Sequence, residues 1–229
     1  MVKLSIIIPV YNEKETIKEI IKQVSEVKIP KEIILIDDHS TDGTREILET
    51  EYAHLRNITV LLHKKNRGKG AAIRTGLNAI GGDIVIIQDA DLEYDPKDYP
   101  KLIKPILEGK TQVVYGSRFL NKKNKHQYGL NMFATRLLTF MANILYNARI
   151  TDEPTCYKVF TKQAIKSADL KCEKFEFCPE VTAKIRKNGY KIIEVPIEYN
   201  SRSIEEGKKI NWKDGVQAIW TLIKYRIIK

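Results

Sequence analysis

Leu4-Ser-Ile-Ile-Ile-Pro-Val10 is an almost unbroken apolar run near the start of the chain. Such a run is typical of a strand that is buried on both faces of a parallel sheet. Apolar residues then recur at helical spacing over Glu15–Val27, and Ile33–Ile36 forms a second short apolar run. A buried strand, a helix and another buried strand together predict a β-α-β unit.

The same alternation continues through the first half of the chain. The further predicted elements are a helix from Thr41 to Leu48, a strand over Ile58–Leu62, a helix over Gly70–Ile80 and a strand over Asp83–Gln88. Three strand–helix units in succession predict an α/β fold with a Rossmann-like, mostly parallel sheet flanked by helices.

The second half has a less regular pattern, and we interpret the 229 residues as one domain because no linker or repeat interrupts them. Its predicted elements are a helix over Pro96–Leu107, a strand over Gln112–Tyr115, a basic loop over Asn121–His126, an amphipathic helix over Leu130–Ala148, a strand over Lys158–Thr161, a helix over Pro179–Asn188, two strand-like runs around Pro196 and a last helix over Trp212–Ile228.

The composition is that of an ordinary soluble chain with an excess of positive charge. Apolar residues make up 43%, charged residues 30%, and the net charge is +10. This charge favours an anionic partner, which nucleic acid, nucleotide phosphates and an anionic membrane would all satisfy. The three cysteines form no C-x-x-C pair, which argues against a disulfide framework or zinc site and suits a reducing compartment.

No segment of the sequence predicts a membrane-spanning helix or a signal peptide. The longest apolar stretch, Met132–Tyr146, contains Arg136 and Asn143. It is also shorter than the roughly 20 apolar residues that cross a bilayer. Met1 leads directly into the first strand-like run, so no leader is expected.

Polar clusters follow three of the predicted strands, where each strand ends. They are Tyr11-Asn12-Glu13, Asp37-Asp38-His39-Ser40 and Gln88-Asp89-Ala90-Asp91. Ligands of open α/β sheets bind beyond the carboxyl ends of the strands. The sequence therefore predicts that these clusters converge on one functional site.

Asp89, Asp91 and Glu93 alternate along the chain, so in an extended segment their side chains would face one site. Crowded carboxylates repel one another unless a positive charge lies between them. Oxygen ligands of this kind suit Mg²⁺ or Mn²⁺, which commonly joins protein carboxylates to substrate phosphates. The alternative is an acidic turn that caps the helix beginning near Pro96.

Four motifs in this order resemble the family 2 glycosyltransferases of GT-A fold: Ser5–Glu13, Asp37–Gly43, Asn66-Arg-Gly-Lys-Gly70 and Asp89-Ala-Asp91. Within that family, the chain is similar to the dolichyl-phosphate (polyprenyl-phosphate) mannosyltransferase and glucosyltransferase branch. The narrower resemblance rests on Gly116-Ser-Arg-Phe119, Cys156-Tyr-Lys-Val-Phe160 and Arg202–Lys209 before Trp212.

The resemblance implies roles for individual residues. The nucleoside would be held by Pro9, Tyr11, Glu13, the backbone of Ile36 and the side chain of Asp38. Asp89 and Ala90 would meet the ribose and diphosphate, and Asp91 and Glu93, with Asp89 beside them, would form the metal site for Mg²⁺ or Mn²⁺. Arg118, Arg202 and Lys208 match basic positions that contact phosphates or the sugar.

Lys69 belongs to a Gly68-Lys69-Gly70 turn at the start of a predicted helix, where backbone amides can bind an anion. The turn lacks the spacing of a P-loop, so we interpret Lys69 as a residue beside the nucleotide. Fixed cations near a departing nucleoside diphosphate stabilise its developing charge. A bound metal ion has the same effect. Arg118, as a cation, and Asp91, as a metal ligand, are therefore predicted as catalytic residues.

The acceptor is predicted from a missing feature. A hydroxyl acceptor needs a general base, whereas a lipid phosphate is already ionised. The Gln-x-x-Arg-Trp motif of sugar polymerases in this superfamily is absent. Asp152 and Glu153 occupy the region where hydroxyl-using relatives carry a base, and Asp152 is the third predicted catalytic residue, as a base or a positioning group.

The resemblance thus implies inverting, single-displacement transfer of mannose or glucose, from GDP-mannose or UDP-glucose, to a polyprenyl or dolichyl phosphate. Transfer to a hydroxyl of a glycan or glycolipid is the alternative. We assign residues 1–118 to nucleotide-sugar binding and residues 119–229 to the acceptor and the membrane.

The two amphipathic helices and their basic neighbours predict peripheral association with the cytoplasmic face of a membrane, directly or through an anchoring partner. Two other classes fit the sequence less well. A sugar-phosphate nucleotidylyltransferase would need a Gly-rich loop where Tyr11-Asn12-Glu13 stands. A nucleic-acid-binding module would carry aromatic residues among its lysines, and Asn121–Lys125 has none.

Overall fold

The structure is a computed structural model that describes residues 2–124, 130–201 and 212–228. Arg202 and Lys208, two of the predicted phosphate-contacting residues, lie outside the described residues, as do Lys125 and His126 of the basic loop.

Within the described residues, the strands form one seven-stranded sheet in the order β3-β2-β1-β4-β6-β5-β7. Neighbouring strands run parallel except at β6, which is antiparallel to both β4 and β5. The prediction of a mostly parallel sheet is therefore confirmed. The strands are β1 (Leu4–Val10), β2 (Lys31–Asp37), β3 (Ile58–Leu62), β4 (Ile84–Ile87), β5 (Val113–Ser117), β6 (Lys158–Thr161) and β7 (Ile192–Pro196).

Helices flank this sheet. They are α1 (Ile17–Glu26), α2 (Thr44–Ile47), α3 (Lys69–Ala79), α4 (Tyr99–Leu107), α5 (Leu130–Tyr146), α6 (Lys162–Ser167), α7 (Phe177–Lys187) and α8 (Trp212–Ile227). A π-helical turn over Leu48–Tyr52 extends α2, and a 3₁₀ turn over Pro96–Asp98 precedes α4. The helix predicted from Pro96 therefore begins with a tighter turn.

Two elements differ from the sequence prediction. Helix α6 was not predicted, since its six residues are too few for a periodic apolar pattern. Of the two strand-like runs around Pro196, only the first is a strand. The second contributes a single bridge between Tyr199 and Tyr94, and this bridge brings residues far apart in sequence into one site.

The core lies on both faces of the central strands, as the apolar runs predict. Ile6, Ile7 and Ile8 of β1 are fully buried, and so is every residue of β4. Helix α3 packs closely over β1 and β2 at Gly76, where a Cβ atom would lie 2.8 Å from Ile7 Cγ2. The central strands are therefore fixed, and the loops at their carboxyl ends are held in place by them.

Helices α5, α7 and α8 contact one another at the C-terminal side of the fold. The Tyr146 hydroxyl donates a hydrogen bond to the Leu222 carbonyl, which ties α5 to α8. Among the described helices, none combines the length and the apolar character that crossing a membrane requires.

Candidate active site

The loops after β1 and β2 are joined directly to each other. The Asn12 amide donates to Ser40 Oγ at 2.9 Å, and the Thr41 amide donates to Asn12 Oδ1 at 2.8 Å. The Glu13 amide donates to Thr44 Oγ1 at 3.0 Å. The first two polar clusters of the sequence are therefore one structure, as the convergence argument predicts.

The predicted nucleoside-binding residues lie along this joined edge. Pro9 in β1 is in register with Ile36 in β2, and Tyr11 is partly exposed just beyond the strand. The Glu13 carboxylate accepts a hydrogen bond from Thr16 Oγ1 at 2.9 Å, and Ala90 is buried behind the edge. The structure thus brings Pro9, Tyr11, Glu13 and Ile36 together, and their contact with a nucleoside remains a prediction.

Asp38 has a structural function that the sequence did not indicate. Its buried carboxylate accepts hydrogen bonds from His63 Nδ1 at 2.7 Å, the Arg67 amide at 2.8 Å and the Gly68 amide at 2.6 Å. These bonds fix the turn that enters α3, where Gly68 has a φ of 92° that favours glycine. Asp38 therefore holds the turn that carries Lys69.

Lys69 reaches from the first turn of α3 into the third polar cluster. Its ammonium forms an ion pair with Asp89 Oδ1 at 2.5 Å. Burial opposes the charge, but Asp89 raises the pKa of Lys69 above its usual value, so the side chain is cationic. The predicted place of Lys69 beside the diphosphate-binding residues is consistent with this contact.

Several amides of the same turn are already bound to protein acceptors. The Gly70 amide donates to the Lys174 carbonyl at 3.0 Å, and the Ala71 amide donates to the Glu173 carbonyl at 2.9 Å. Protein carbonyls therefore already satisfy these two donors, and the Gly68 amide is bound to Asp38, so an anion site in the backbone of this turn remains a prediction. The cation of Lys69 remains as the charge that this turn contributes.

The segment from Asp89 to Glu93 is a turn, which corrects the prediction of an extended segment. Leu92 has a φ of 63°, and the Glu93 amide donates to Asp91 Oδ1 at 3.1 Å. The turn aims the three carboxylates differently, since Asp89 pairs with Lys69 and Glu93 Oε2 accepts from the Tyr199 hydroxyl at 3.0 Å.

In the part of the chain that the structure describes, no three histidine, cysteine or carboxylate side chains are grouped closely enough to hold a metal ion. The three predicted metal ligands are therefore neighbours on one turn rather than a formed cluster. The capping function considered as an alternative belongs to Asp95, whose side chain accepts from the Lys97 amide at 2.9 Å.

Arg118 and Asp152, two of the predicted catalytic residues, form a paired unit. Both carboxylate oxygens of Asp152 accept from the Arg118 guanidinium at 2.7 Å, and the Arg118 amide donates to the same carboxylate at 3.0 Å. Asp152 is fully buried, and the Arg118 side chain is partly exposed. Burial opposes the charge, but Asp152 raises the pKa of Arg118, so the guanidinium is a permanent cation.

Tyr199 joins this pair to the carboxylate turn, and no feature of the sequence predicted it. Its hydroxyl donates to Glu93, and the centre of its ring lies 5.0 Å from the Arg118 guanidinium carbon. Such stacking stabilises a cation on an aromatic face. The predicted donor half and the predicted acceptor half therefore meet at one aromatic side chain.

Glu194 supports the pair from behind. Its carboxylate accepts from the Thr151 amide at 2.8 Å, the Thr151 hydroxyl at 2.9 Å and the Asp152 amide at 3.1 Å. Burial raises the pKa of Glu194. Glu194 was also not predicted from the sequence, since only the tertiary structure brings β7 to the loop that carries Asp152.

Cys156 is a buried packing residue. Its amide donates to the Tyr94 hydroxyl at 3.1 Å, and burial raises the pKa of its thiol well above the usual value. A buried thiol that stays protonated is a poor nucleophile. Cys156 is therefore not placed to act as a nucleophile, and the cations at the candidate site are Lys69, paired with Asp89, and Arg118, paired with Asp152.

The sequence model described as glycosyl transferase family 2 matches residues 5–168, which include all four motifs and both cations. The chain belongs to glycosyl transferase family 2. It is therefore a glycosyltransferase that binds a nucleotide sugar.

Two archaeal relatives resemble this family 2 chain over most of its length. The UDP-N-acetylglucosamine–dolichyl-phosphate N-acetylglucosaminyltransferase of Methanococcus voltae is 32% identical over 225 residues, covering 90% of this chain and 89% of the relative. The glycosyltransferase AglJ of Haloferax volcanii is 29% identical over 198 residues, covering 86% of this chain and 63% of AglJ.

Solved structures confirm the GT-A fold. A crystal structure of glucosyl-3-phosphoglycerate synthase from Mycobacterium tuberculosis, in complex with Mn²⁺, UDP and phosphoglyceric acid, superposes with a TM-score of 0.72 at 21% identity. It covers 100% of this chain and 80% of the synthase. A structure of the same enzyme with Mg²⁺ and UDP gives a TM-score of 0.73 at 20% identity, again over 100% and 80%.

Proposed function

We propose that this glycosyltransferase transfers a sugar from a nucleotide sugar to a polyprenyl phosphate such as dolichyl phosphate. The observation that carries the proposal is the Arg118–Asp152 pair. Both oxygens of Asp152 are bound to the guanidinium, so this carboxylate serves to position Arg118. A positioned cation suits a phosphate acceptor, which is attracted by charge and needs no base.

Glu153, the neighbouring acidic residue, also supports a phosphate acceptor. It is fully buried, and one of its oxygens accepts from Thr182 Oγ1 at 3.1 Å. Burial raises the pKa of its carboxyl. A general base for a hydroxyl acceptor must reach the hydroxyl that it deprotonates, and a carboxyl closed off from solvent does not meet that requirement.

The donor end of the proposal rests on Lys69 and the carboxylate turn. In a single displacement, an oxygen of the acceptor phosphate forms the bond to the anomeric carbon while the bond to the nucleoside diphosphate breaks. The configuration at that carbon is inverted, and the electron pair leaves with the diphosphate. Lys69, already aligned by Asp89, would stabilise the charge that the leaving group gains.

A divalent cation fits the chemistry of this turn. Asp91 and its neighbours offer only carboxylate oxygens, and Mg²⁺ is commonly bound through one or two carboxylates plus substrate phosphates. When bound, Mg²⁺ or Mn²⁺ would supply Lewis-acid stabilisation of the diphosphate. Since the family resemblance assigns the metal to Asp91 and Glu93, we propose Asp91, assisted by Glu93, as the main protein ligand.

The sugar is proposed within a short range. The family resemblance implies mannose or glucose, whereas the name of the Methanococcus voltae relative specifies N-acetylglucosamine and dolichyl phosphate. We therefore propose a hexose or an N-acetylhexosamine carried on a nucleoside diphosphate. Because a polyprenyl phosphate stays in the bilayer, we also propose that the enzyme acts at the cytoplasmic face of a membrane.

The test combines donor binding with transfer. Titration calorimetry with Mn²⁺ would compare UDP-glucose, UDP-N-acetylglucosamine and GDP-mannose, and the best donor would then be incubated, radiolabelled, with a polyprenyl phosphate. We expect labelled lipid with one donor. No transfer to the phosphate from any donor that binds would refute the proposal.

Asp91→Ala tests the metal ligand. We expect this substitution to abolish the Mn²⁺-dependent part of donor binding while the fold persists, because it removes the carboxylate that we propose as the main metal ligand. Asp169→Ala, which removes an exposed carboxylate paired with Lys171, is the matched control and should bind the donor normally. Unchanged Mn²⁺-dependent binding in Asp91→Ala would show that the ligand is assigned wrongly.

A further inference from the structure

Helices α5 and α8 each expose a stripe of large apolar side chains. On α5 the stripe is Phe133, Phe140 and Ile144, and on α8 it is Val216, Trp220 and Ile227, all between 56% and 74% exposed. Intervals of four and seven residues place each trio on one face of its helix. Elsewhere in the described residues, apart from Ile228 next to α8, only Leu107 is a large apolar residue more than half exposed.

The two stripes lie on the outer side of helices that are already packed. Leu138 and Ala142 of α5, with Ala218 and Leu222 of α8, are buried on the opposite faces. The helices also contact each other directly. We take the two stripes, which lie on helices in contact with each other, as one surface, here called the α5/α8 face.

The charges carried by α5 and α8 themselves are almost all positive. Helix α5 contains no acidic residue, and α8 contains one, Asp214. The exposed cations on the two helices are Arg136, Lys213, Lys224 and Arg226. An apolar stripe bordered by lysine and arginine is complementary to a bilayer with anionic headgroups, which accepts the apolar side chains and attracts the cations.

We propose that the α5/α8 face docks this protein onto an anionic lipid bilayer. The inference names the partner of the proposed function, and rests on that function only for the acceptor. It commits to the bilayer surface because apolar exposure and positive charge coincide on these two helices. A face that pairs with a second copy of itself would bring its cations against one another, which electrostatic repulsion opposes.

The inner face of α5 explains how docking would serve the site. Thr139 Oγ1 accepts from the Glu153 amide at 3.0 Å. The Asn143 side chain accepts from the Ile150 amide at 2.9 Å and donates to the Ile150 carbonyl at 2.8 Å. Helix α5 thus holds the segment that carries Asp152. A helix with its side chains is about 10 Å across, so docking would bring the Arg118–Asp152 pair within roughly one helix diameter of the headgroups.

The test uses protein-free vesicles and the whole chain. Wild-type protein is mixed with vesicles of phosphatidylcholine containing phosphatidylglycerol, or with phosphatidylcholine alone, and the bound fraction is measured by flotation. The variant Phe140→Gln/Ile144→Gln/Trp220→Gln keeps helix-forming side chains. Leu107→Gln is the matched control, since Leu107 is comparably exposed on α4.

We expect the wild type and Leu107→Gln to bind the anionic vesicles, and the triple variant to bind at least about tenfold more weakly. Charge reversal at Lys213 and Lys224 should also weaken binding, and added salt should do so for the wild type. Equal binding of the triple and control variants would overturn the proposal. The proposal would also be overturned if the wild type bound neither kind of vesicle. It would be overturned as well if light scattering showed a dimer for the wild type and a monomer for the triple variant.

A second readout separates docking from transfer. The triple variant should bind the donor normally by calorimetry, which shows that it is folded. It should also retain transfer to a short-chain, water-soluble isoprenyl phosphate. If the wild type docks but transfers nothing to that acceptor, the proposed function fails and the docking surface stands.

Discussion

Asp152→Asn tests the positioning function of the Arg118–Asp152 pair. The substitution keeps the shape of the side chain but removes the charge that faces the guanidinium. Asp152 is fully buried, and the Arg118 side chain is 15% exposed. Removing one partner of a buried pair costs about 3–5 kcal/mol, and we expect about 3 kcal/mol because one acceptor oxygen remains and Arg118 is not wholly buried.

The assay is equilibrium unfolding in guanidinium chloride, supported by a thermal scan. A loss of about 3 kcal/mol corresponds to a fall in Tm of roughly 6–12 °C for a chain of this size. Asp169→Asn is the control. Its ion pair with Lys171 is on the surface, and the change should stay within about 0.5 kcal/mol.

A double-mutant cycle with Arg118→Gln isolates the interaction. The sum of the losses in unfolding free energy of the two single variants should exceed the loss in the double variant, because the pair acts as a unit. The activity of Asp152→Asn should fall through a raised KM for the lipid phosphate, and the pH dependence of kcat should keep its shape. Additive stability losses would refute the positioning function. Disappearance of the acidic limb of the kcat profile, where a catalytic base must lose its proton, would indicate a general base instead.

Three further predictions follow from the described contacts. Asp38→Ala removes the acceptor for three hydrogen bonds at the start of α3, so calorimetry should show weaker donor binding and denaturation should show a loss of about 3 kcal/mol; unchanged donor affinity would contradict it. Gly76→Ala inserts a methyl group against β1 and should lower the free energy of unfolding by about 1–3 kcal/mol, while Gly215→Ala in α8, with no atom within 4 Å of the new Cβ, should raise it by about 0.5–1 kcal/mol; effects of one sign would contradict the packing at Gly76. Burial opposes the ionised form of Glu32, yet hydrogen bonds from its neighbours lower its pKa to about 2. The contribution of Glu32 to the free energy of unfolding is therefore complete above the unfolded pKa near 4.5 and is lost as the pH falls to 2. The unfolding free energy of Glu32→Gln, measured by denaturation, should depend less on pH in that window than that of the wild type.

The central fold is readable from the sequence because burial on both faces leaves a simple pattern. The apolar runs of β1, β2 and β4 have no polar side to obscure them, so strand positions and parallel order follow. Helix α6 and the bridge at Tyr199 were not predicted, since short elements depend on neighbours that the local pattern does not encode.

The candidate site also has features that could be predicted from the sequence and features that could not. The polar strand ends could be predicted to converge, because parallel strands of one sheet share an edge. The partners of the individual side chains could not, since Glu194 and Tyr199 reach the site from β7 and the segment after it. The positive φ of Leu92 is also invisible in the spacing of Asp89, Asp91 and Glu93, which is why the carboxylates point differently from the prediction.

Acceptor choice is the most direct test of the whole account. The measurement compares a polyprenyl phosphate with the polyprenol of the same chain length, in the same vesicles, with the donor that binds. We predict labelled sugar on the phosphate and none on the alcohol, because the proposed function assigns an anionic acceptor to Arg118 and because Asp152 is bound to Arg118. Transfer to the polyprenol at a comparable rate, or to neither lipid, would contradict the account.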